Sequence, residues 1–171
     1  MAASLSGFPA PLARADDDDP EEIARSVYER NGLAPDGEEG PGELLRRLFG
    51  PASIELGSKV RPGHVLVELS SSLGGVPVCV RMSDRQTASQ DTLACSKACA
   101  IHEAWSRGEQ WSTELLSSVT AAIALPAIAA RKAFLDGWTV DDLAGHFALE
   151  PGWVLARMKS LGCEMSAPDV A

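Results

Sequence analysis

The residues with the clearest chemical potential are the two cysteines of Cys95-Ser96-Lys97-Ala98-Cys99. On a helix, positions i and i+4 share a face. Two thiolates placed that way can share a zinc ion, with Cys79 or His102 as a further donor. They suit a redox pair less well. Their Cα atoms would lie about 6 Å apart, at the edge of disulfide reach, and closure would strain the helix. As packing residues they need no partner, because free cysteine is among the most buried side chains. His102-Glu103 opens a second candidate, but position 106 is Ser106, so no second imidazole follows at i+4. His64 and His146 stand alone. Gly74-Gly75 lacks the surroundings of a phosphate-cradling loop and reads as a hairpin turn.

These residues must be held by elements that the pattern outlines. Asp19 can cap a helix with Pro20 in its first turn and Ile23, Val27 and Tyr28 on one face, stopped by Asn31-Gly32. Residues 33–42, rich in Gly, Pro and acids, form a loop before a short helix over 43–49, ended by Gly50-Pro51. Residues 64–69 and 76–82 alternate as two antiparallel strands around a turn at 70–75, and Pro77 suggests an edge position or a strand start. From Thr87 the spacing turns helical, with Leu93, Ala94, Ala98, Ile101, His102 and Trp105 recurring up to Gly108. A second helix spans about 112–125, and Pro126 bounds or kinks it before helical residues 127–135. Two short helices occupy 139–162, separated by Leu149-Glu150-Pro151-Gly152.

Thr92-Leu93-Ala94 leads into the cysteine block after two strands. A later helix ends in Ala124-Leu125-Pro126, and Leu143-Ala144, Phe147-Ala148-Leu149 and Arg157 with Leu161-Gly162 follow. This ordered series of weak motifs resembles the ImmA/IrrE family of zinc metallopeptidases. The likeness covers about residues 20–162. It implies an α+β fold: a small antiparallel sheet on a mainly helical, zincin-like core, with a C-terminal helix-turn-helix-like pair. It also implies an H-E-x-x-H helix, in which two histidines bind zinc and the glutamate acts as general base. Here Cys95, Ser96 and Cys99 stand at those positions, so the base is missing. The family's third ligand is an acid in the following helix. Glu114 lies near that place, and Glu109 is a weaker substitute. The expectation is therefore a pseudoenzyme with no catalytic residues and no cofactor. The alternative is zinc held by Cys95, Cys99 and Glu114. Family members cleave or control repressors in phage, mobile-element or stress-response circuits, which implies a transcription regulator as partner.

The C-terminal pair carries its own signals. Thr139-Val140-Asp141-Asp142 is a capping box, and Leu143, Ala144, Phe147, Leu149 and Val154 sit where a helix-turn-helix packs. Its second helix offers Glu150, Trp153, Leu155 and Ala156, which are not base-reading residues, so DNA binding is the lesser alternative. Trp138 and Trp153 are the candidate contact surface for a protein partner.

Composition narrows the field further. A net charge of −9 over 171 residues argues against a general nucleic-acid or anionic-membrane binder. No run reaches the 18 or so apolar residues of a membrane span. The N-terminal apolar stretch lacks a preceding basic segment, so a secretory signal is not expected. Four cysteines make no disulfide framework, and a cytoplasmic protein is the default. The first 48 residues hold 11 acids and 5 bases, including Asp16 to Asp19. The expected divisions are a disordered acidic tail at 1–18, a metallopeptidase-like domain at 19–136, the helical pair at 137–163 and a short tail at 164–171.

Overall fold

The computed structural model describes residues 18–36, 39–70 and 76–165. The N-terminal tail to residue 17, the Gly74-Gly75 turn and residues 166–171 lie outside them. The fold is α+β, with seven α-helices and one small sheet among the described residues.

Helix α1 (Pro20–Arg30) starts as its sequence dictates. The Asp19 carboxylate accepts the Glu21 N–H at 2.9 Å, and Pro20 fills a first-turn position whose N–H would be unpaired anyway. Ile23, Ala24, Val27 and Tyr28 are its buried face, and Gly32 follows the Asn31 cap with φ +68°. Asp18 belongs to the folded part, since its carboxylate accepts from Arg107 at 3.3 Å. Helix α2 (Pro41–Phe49) begins two residues before the expected Glu43, because the fixed φ of Pro41 suits a first turn. It buries Leu44 and Leu45.

The sheet corrects the expectation of a purely antiparallel pair. Three strands, β1 (Ile54–Leu56), β2 (Val65–Ser70) and β3 (Val76–Met82), lie in the order β1-β3-β2, with β1 parallel and β2 antiparallel to β3. Strand β1 is absent from the sequence expectation because three residues are too few to display alternation. Pro77 therefore lies in the central strand, not at an edge. It is tolerated near the strand start, since β1 pairs only with Val80, Arg81 and Met82 and the β2 register shifts at Glu68/Leu69 opposite it.

Helix α3 (Ala88–Arg107) opens with a reciprocal capping box between Thr87 and Gln90 and ends at Gly108 in the left-handed region. Trp105, placed on its apolar face by spacing, is instead 44% exposed. Helix α4 (Thr113–Ala124) is capped by Ser112 and bends 48° at Leu125-Pro126 into α5 (Ala127–Leu135). Helices α6 (Val140–Phe147) and α7 (Pro151–Ser160) follow, with the Thr139/Asp142 box in place. Pro151 and Gly152 belong to the first turn of α7 and do not separate the helices.

Two apolar clusters meet at the end of α4. One joins α1, α2, α3, α4 and the inner face of the sheet through Tyr28, Leu44, Val80, Ala98 and Ile123. The other joins α4 to α7 through Leu125, Leu143, Val154 and Met158. Met165, expected in a tail, packs against this second cluster. Burying each of these larger side chains contributes roughly 1.5–3 kcal/mol. Within the first cluster the Tyr28 hydroxyl donates to the Ile123 carbonyl at 2.9 Å, and Arg157 ties α7 to α1 through Glu21.

Candidate functional site

The cysteine block occupies the middle of α3, against β3 and the start of α2. Cys95, Ser96 and Cys99 are 3, 0 and 0% exposed. The Cys95 Sγ lies 3.9 Å from the Met82 Sδ, and the Cys99 Sγ lies 4.0 Å from the Pro41 carbonyl oxygen. The Ser96 hydroxyl donates to the Thr92 carbonyl at 2.8 Å, one turn back on the same helix. Small residues are needed here, because α2 and β3 both pack on this stretch of α3.

Burial sets the chemistry of both thiols. It pushes Cys95 up to about 12, aided by the Asp91 charge, and lifts Cys99 well above the usual thiol range. Both are protonated near neutral pH, and the thiol is neither the nucleophile nor the metal ligand that a thiolate is. Glu114, the alternative third ligand, is exposed in the first turn of α4. The structure does not bring it to the cysteines: among the described residues, no three His, Cys, Asp or Glu side chains are placed to hold a metal ion. Zinc does not fit this donor set. Glu109 accepts the Trp111 indole N–H at 2.7 Å. Cys79 is half-buried, away from the core cluster that holds Cys95 and Cys99. Burial first, then Glu55 and Glu68, raise its thiol.

His102 and Glu103 separate into different roles. His102 stacks edge-on with Phe49 at 5.0 Å between centroids, and burial lowers its basicity. Ser106 lies 3.2 Å from its Nδ1 but also donates to the His102 carbonyl at 2.8 Å, so this hydroxyl is not held for nucleophilic attack. Glu103 is 2% exposed and is the charged centre that residue spacing missed. Its Oε1 accepts from Arg30 at 2.6 Å and from Arg107 at 2.7 Å, tying α1 to α3. The i, i+4 relation of Glu103 and Arg107 was visible in the sequence; the partner from α1 was not.

In the C-terminal pair, α6 and α7 pack on each other within the second apolar cluster. Ala148, with φ +51°, makes the turn between α6 and α7 and is the one non-glycine residue in the left-handed region among those described. The basic residues do not form a base-reading row. Arg157 is turned inward, where its guanidinium donates twice to the Leu125 carbonyl at 3.2 Å and pairs with Glu21. Gly152, Ala156, Lys159 and Ser160 are the exposed positions of α7.

The two tryptophans differ. Trp138 is exposed in the α5–α6 connection, edge-on to His146 at 5.2 Å, and His146 is edge-on to Phe147 at 4.8 Å. Phe134 and Leu135 are exposed just before it. Trp153 is half-buried against the second cluster and serves packing first. No helix among those described is long and apolar enough to cross a membrane.

Comparison with protein-family models, with curated proteins and with solved structures finds no match to this chain.

Proposed function

We infer that the protein is a catalytically inactive ImmA/IrrE-like chain that acts in the cytoplasm by binding another protein, a transcription regulator or repressor. The order of elements supports the kinship. A strand pair precedes the long α3, and α4 ends at Leu125-Pro126 before a helix-turn-helix-like pair. The observation that carries the inactivity is the environment of Cys95, Ser96 and Cys99. They stand where the resemblance puts ligands and base, yet they are buried and engaged with Met82, Thr92 and Pro41. A hydrolase needs that stretch to meet a water molecule and a substrate carbonyl. Binding is favoured over DNA readout because Arg157 is consumed internally while Trp138, Phe134 and Leu135 are each exposed.

The test uses the full chain with a photo-crosslinking amino acid in place of Trp138, expressed in the native host. The expected result is a crosslink to a repressor-class protein, with no stoichiometric zinc in the same sample. Site-specific cleavage of a repressor that a chelator abolishes would overturn the inactivity.

A further inference from the structure

The sheet has β3 in the middle, so β1 and β2 are its two edges. Folded proteins usually blunt an edge with short length, proline, lysine or a bulge. Strand β1 is blunted, since it has only three residues. Strand β2 has six, Val65-Leu66-Val67-Glu68-Leu69-Ser70, with no proline and no lysine. The register shift at Glu68/Leu69 leaves the extra residue, Val78, in β3, so β2 itself runs unbroken. Its one charge, Glu68, lies 2.7 Å from Arg81 of β3.

The backbone of this edge is unpaired. In an antiparallel pair every second residue directs its N–H and C=O away from the partner strand. Among the described residues, Val65 to Leu69 make backbone hydrogen bonds to β3 alone. Val65 and Val67 pack against the first cluster yet stay only partly buried, and Leu66 on the outer face is 54% exposed. A row of open donors and acceptors selects another extended strand over a helix or a lipid surface.

The strand's own sequence is its complement. Antiparallel pairing about a two-fold axis at Leu66 sets Leu66 against Leu66 of the second copy, and Val65 against Val67 on either side of the axis. Each of these pairs puts apolar side chains opposite one another on one face of the sheet. His64, just before the strand, comes opposite Glu68 of the second copy, a hydrogen-bond donor facing a carboxylate. Moving the axis to Val67 would set Leu66 against Glu68, and moving it to Glu68 would set like charges together.

We propose that β2 pairs with β2 of a second copy, antiparallel about Leu66, to make one continuous six-stranded sheet. Six residues a side form a small contact, below the roughly 1,200 Å² of a stable interface. The dimer is therefore reversible, with a dissociation constant on the order of 10–100 μM. This surface is separate from Trp138, which lies in the α5–α6 connection.

The test is sedimentation velocity of the full chain from about 5 μM to about 1 mM. Salt of about 0.3 M screens the repulsion between two chains of charge −9. The parent chain is expected to dimerise. Leu66→Lys and Leu66→Glu are substitutions at an exposed site and should leave circular dichroism unchanged. Each is expected to weaken self-association at least tenfold, because like charges then meet on the axis. An equimolar mixture of the two variants is expected to associate again. In a Cys79→Ser background, Leu66→Cys should form a disulfide-linked dimer under mild oxidation, since directly opposed Cβ atoms lie about 4.5–5.5 Å apart, whereas Leu69→Cys should not. A parent chain that stays monomeric at about 1 mM would overturn the proposal. So would a Leu66→Lys chain that dimerises like the parent, a mixture no tighter than its components, or faster trapping at position 69 than at 66.

Discussion

Replacing Ser96 with glutamate restores the general base that the resemblance puts at this position, and its cost measures whether the position faces a cleft. Ser96 is fully buried, and its hydroxyl is satisfied by the Thr92 carbonyl. Three extra heavy atoms at such a site overpack it by about 1–3 kcal/mol. The carboxyl then adds a pH-dependent penalty. Burial raises its folded-state pKa above the unfolded value of about 4.3, so the unfolded chain releases the proton first. Stability therefore falls as pH rises, by about 1.4 kcal/mol per unit, until the folded-state pKa is passed. With a folded-state pKa above about 7.5, the expected loss is about 2–4 kcal/mol at pH 5 and about 5–7 kcal/mol at pH 7.5, set against the 5–15 kcal/mol of a typical domain. Urea denaturation of Ser96→Glu at both pH values, against Ser96→Ala, reads this out. The alanine variant should stay within about 0.5 kcal/mol of the parent at either pH, because the Thr92 carbonyl retains its helical hydrogen bond. A Ser96→Glu protein as stable at pH 7.5 as at pH 5 would mean that the carboxylate reaches water. The block would then face a cleft, and the case for the proposed inactivity would fail.

Three other measurements bear on separate parts of the structure. Of the four thiols, only the half-buried Cys79 should react with a thiol reagent in the native protein at pH 8, and denaturant should be needed for the rest; prompt labelling of Cys95 or Cys99 would contradict their burial. Glu103→Gln should cost about 1–3 kcal/mol in chemical denaturation. It removes the shared charge from Arg30 and Arg107, though both guanidiniums can partly rehydrate, and an unchanged midpoint would show that the cluster contributes nothing. Ala148→Gly should stabilise by about 1 kcal/mol, a rise of a few degrees in Tm, because glycine adopts φ +51° without the Cβ clash; a lower Tm would show that the methyl group packs favourably in the turn.

The elements that were legible in the sequence are those whose ends carry local chemistry. Asp19-Pro20, Thr87 with Gln90 and Thr139 with Asp142 each fix a helix start through a side chain and a backbone N–H only two or three residues apart. Asn31-Gly32, Gly50-Pro51 and Pro126 mark ends by φ alone. Strand β1 has no such marker. Its three residues become a strand only because β3 offers a free edge at Val80, Arg81 and Met82, which is information from elsewhere in the chain. The parallel pairing, and with it the mixed sheet, was out of reach for the same reason.

The candidate site shows a sharper division between what residue type and what surroundings decide. Residue type alone indicates that Cys95, Ser96 and Cys99 cannot act as His, Glu and His. It leaves open whether two thiols at i and i+4 bind zinc, since the spacing permits it. What decides is the third donor and the dielectric, and both are tertiary. A thiolate forms in a polar or electropositive setting, whereas these two sulfurs lie buried against Met82 and the Pro41 carbonyl, where the charged form is disfavoured. The same logic separates the arginines. Arg157 and Arg131 read alike in sequence, as basic residues near a C-terminal helical pair. One is drawn inward because the Leu125 carbonyl, left open where α4 breaks before Pro126, needs a donor. The other lies exposed on α5 with no ion pair among the described residues. A broken helix thus redirects a distant cation into the fold.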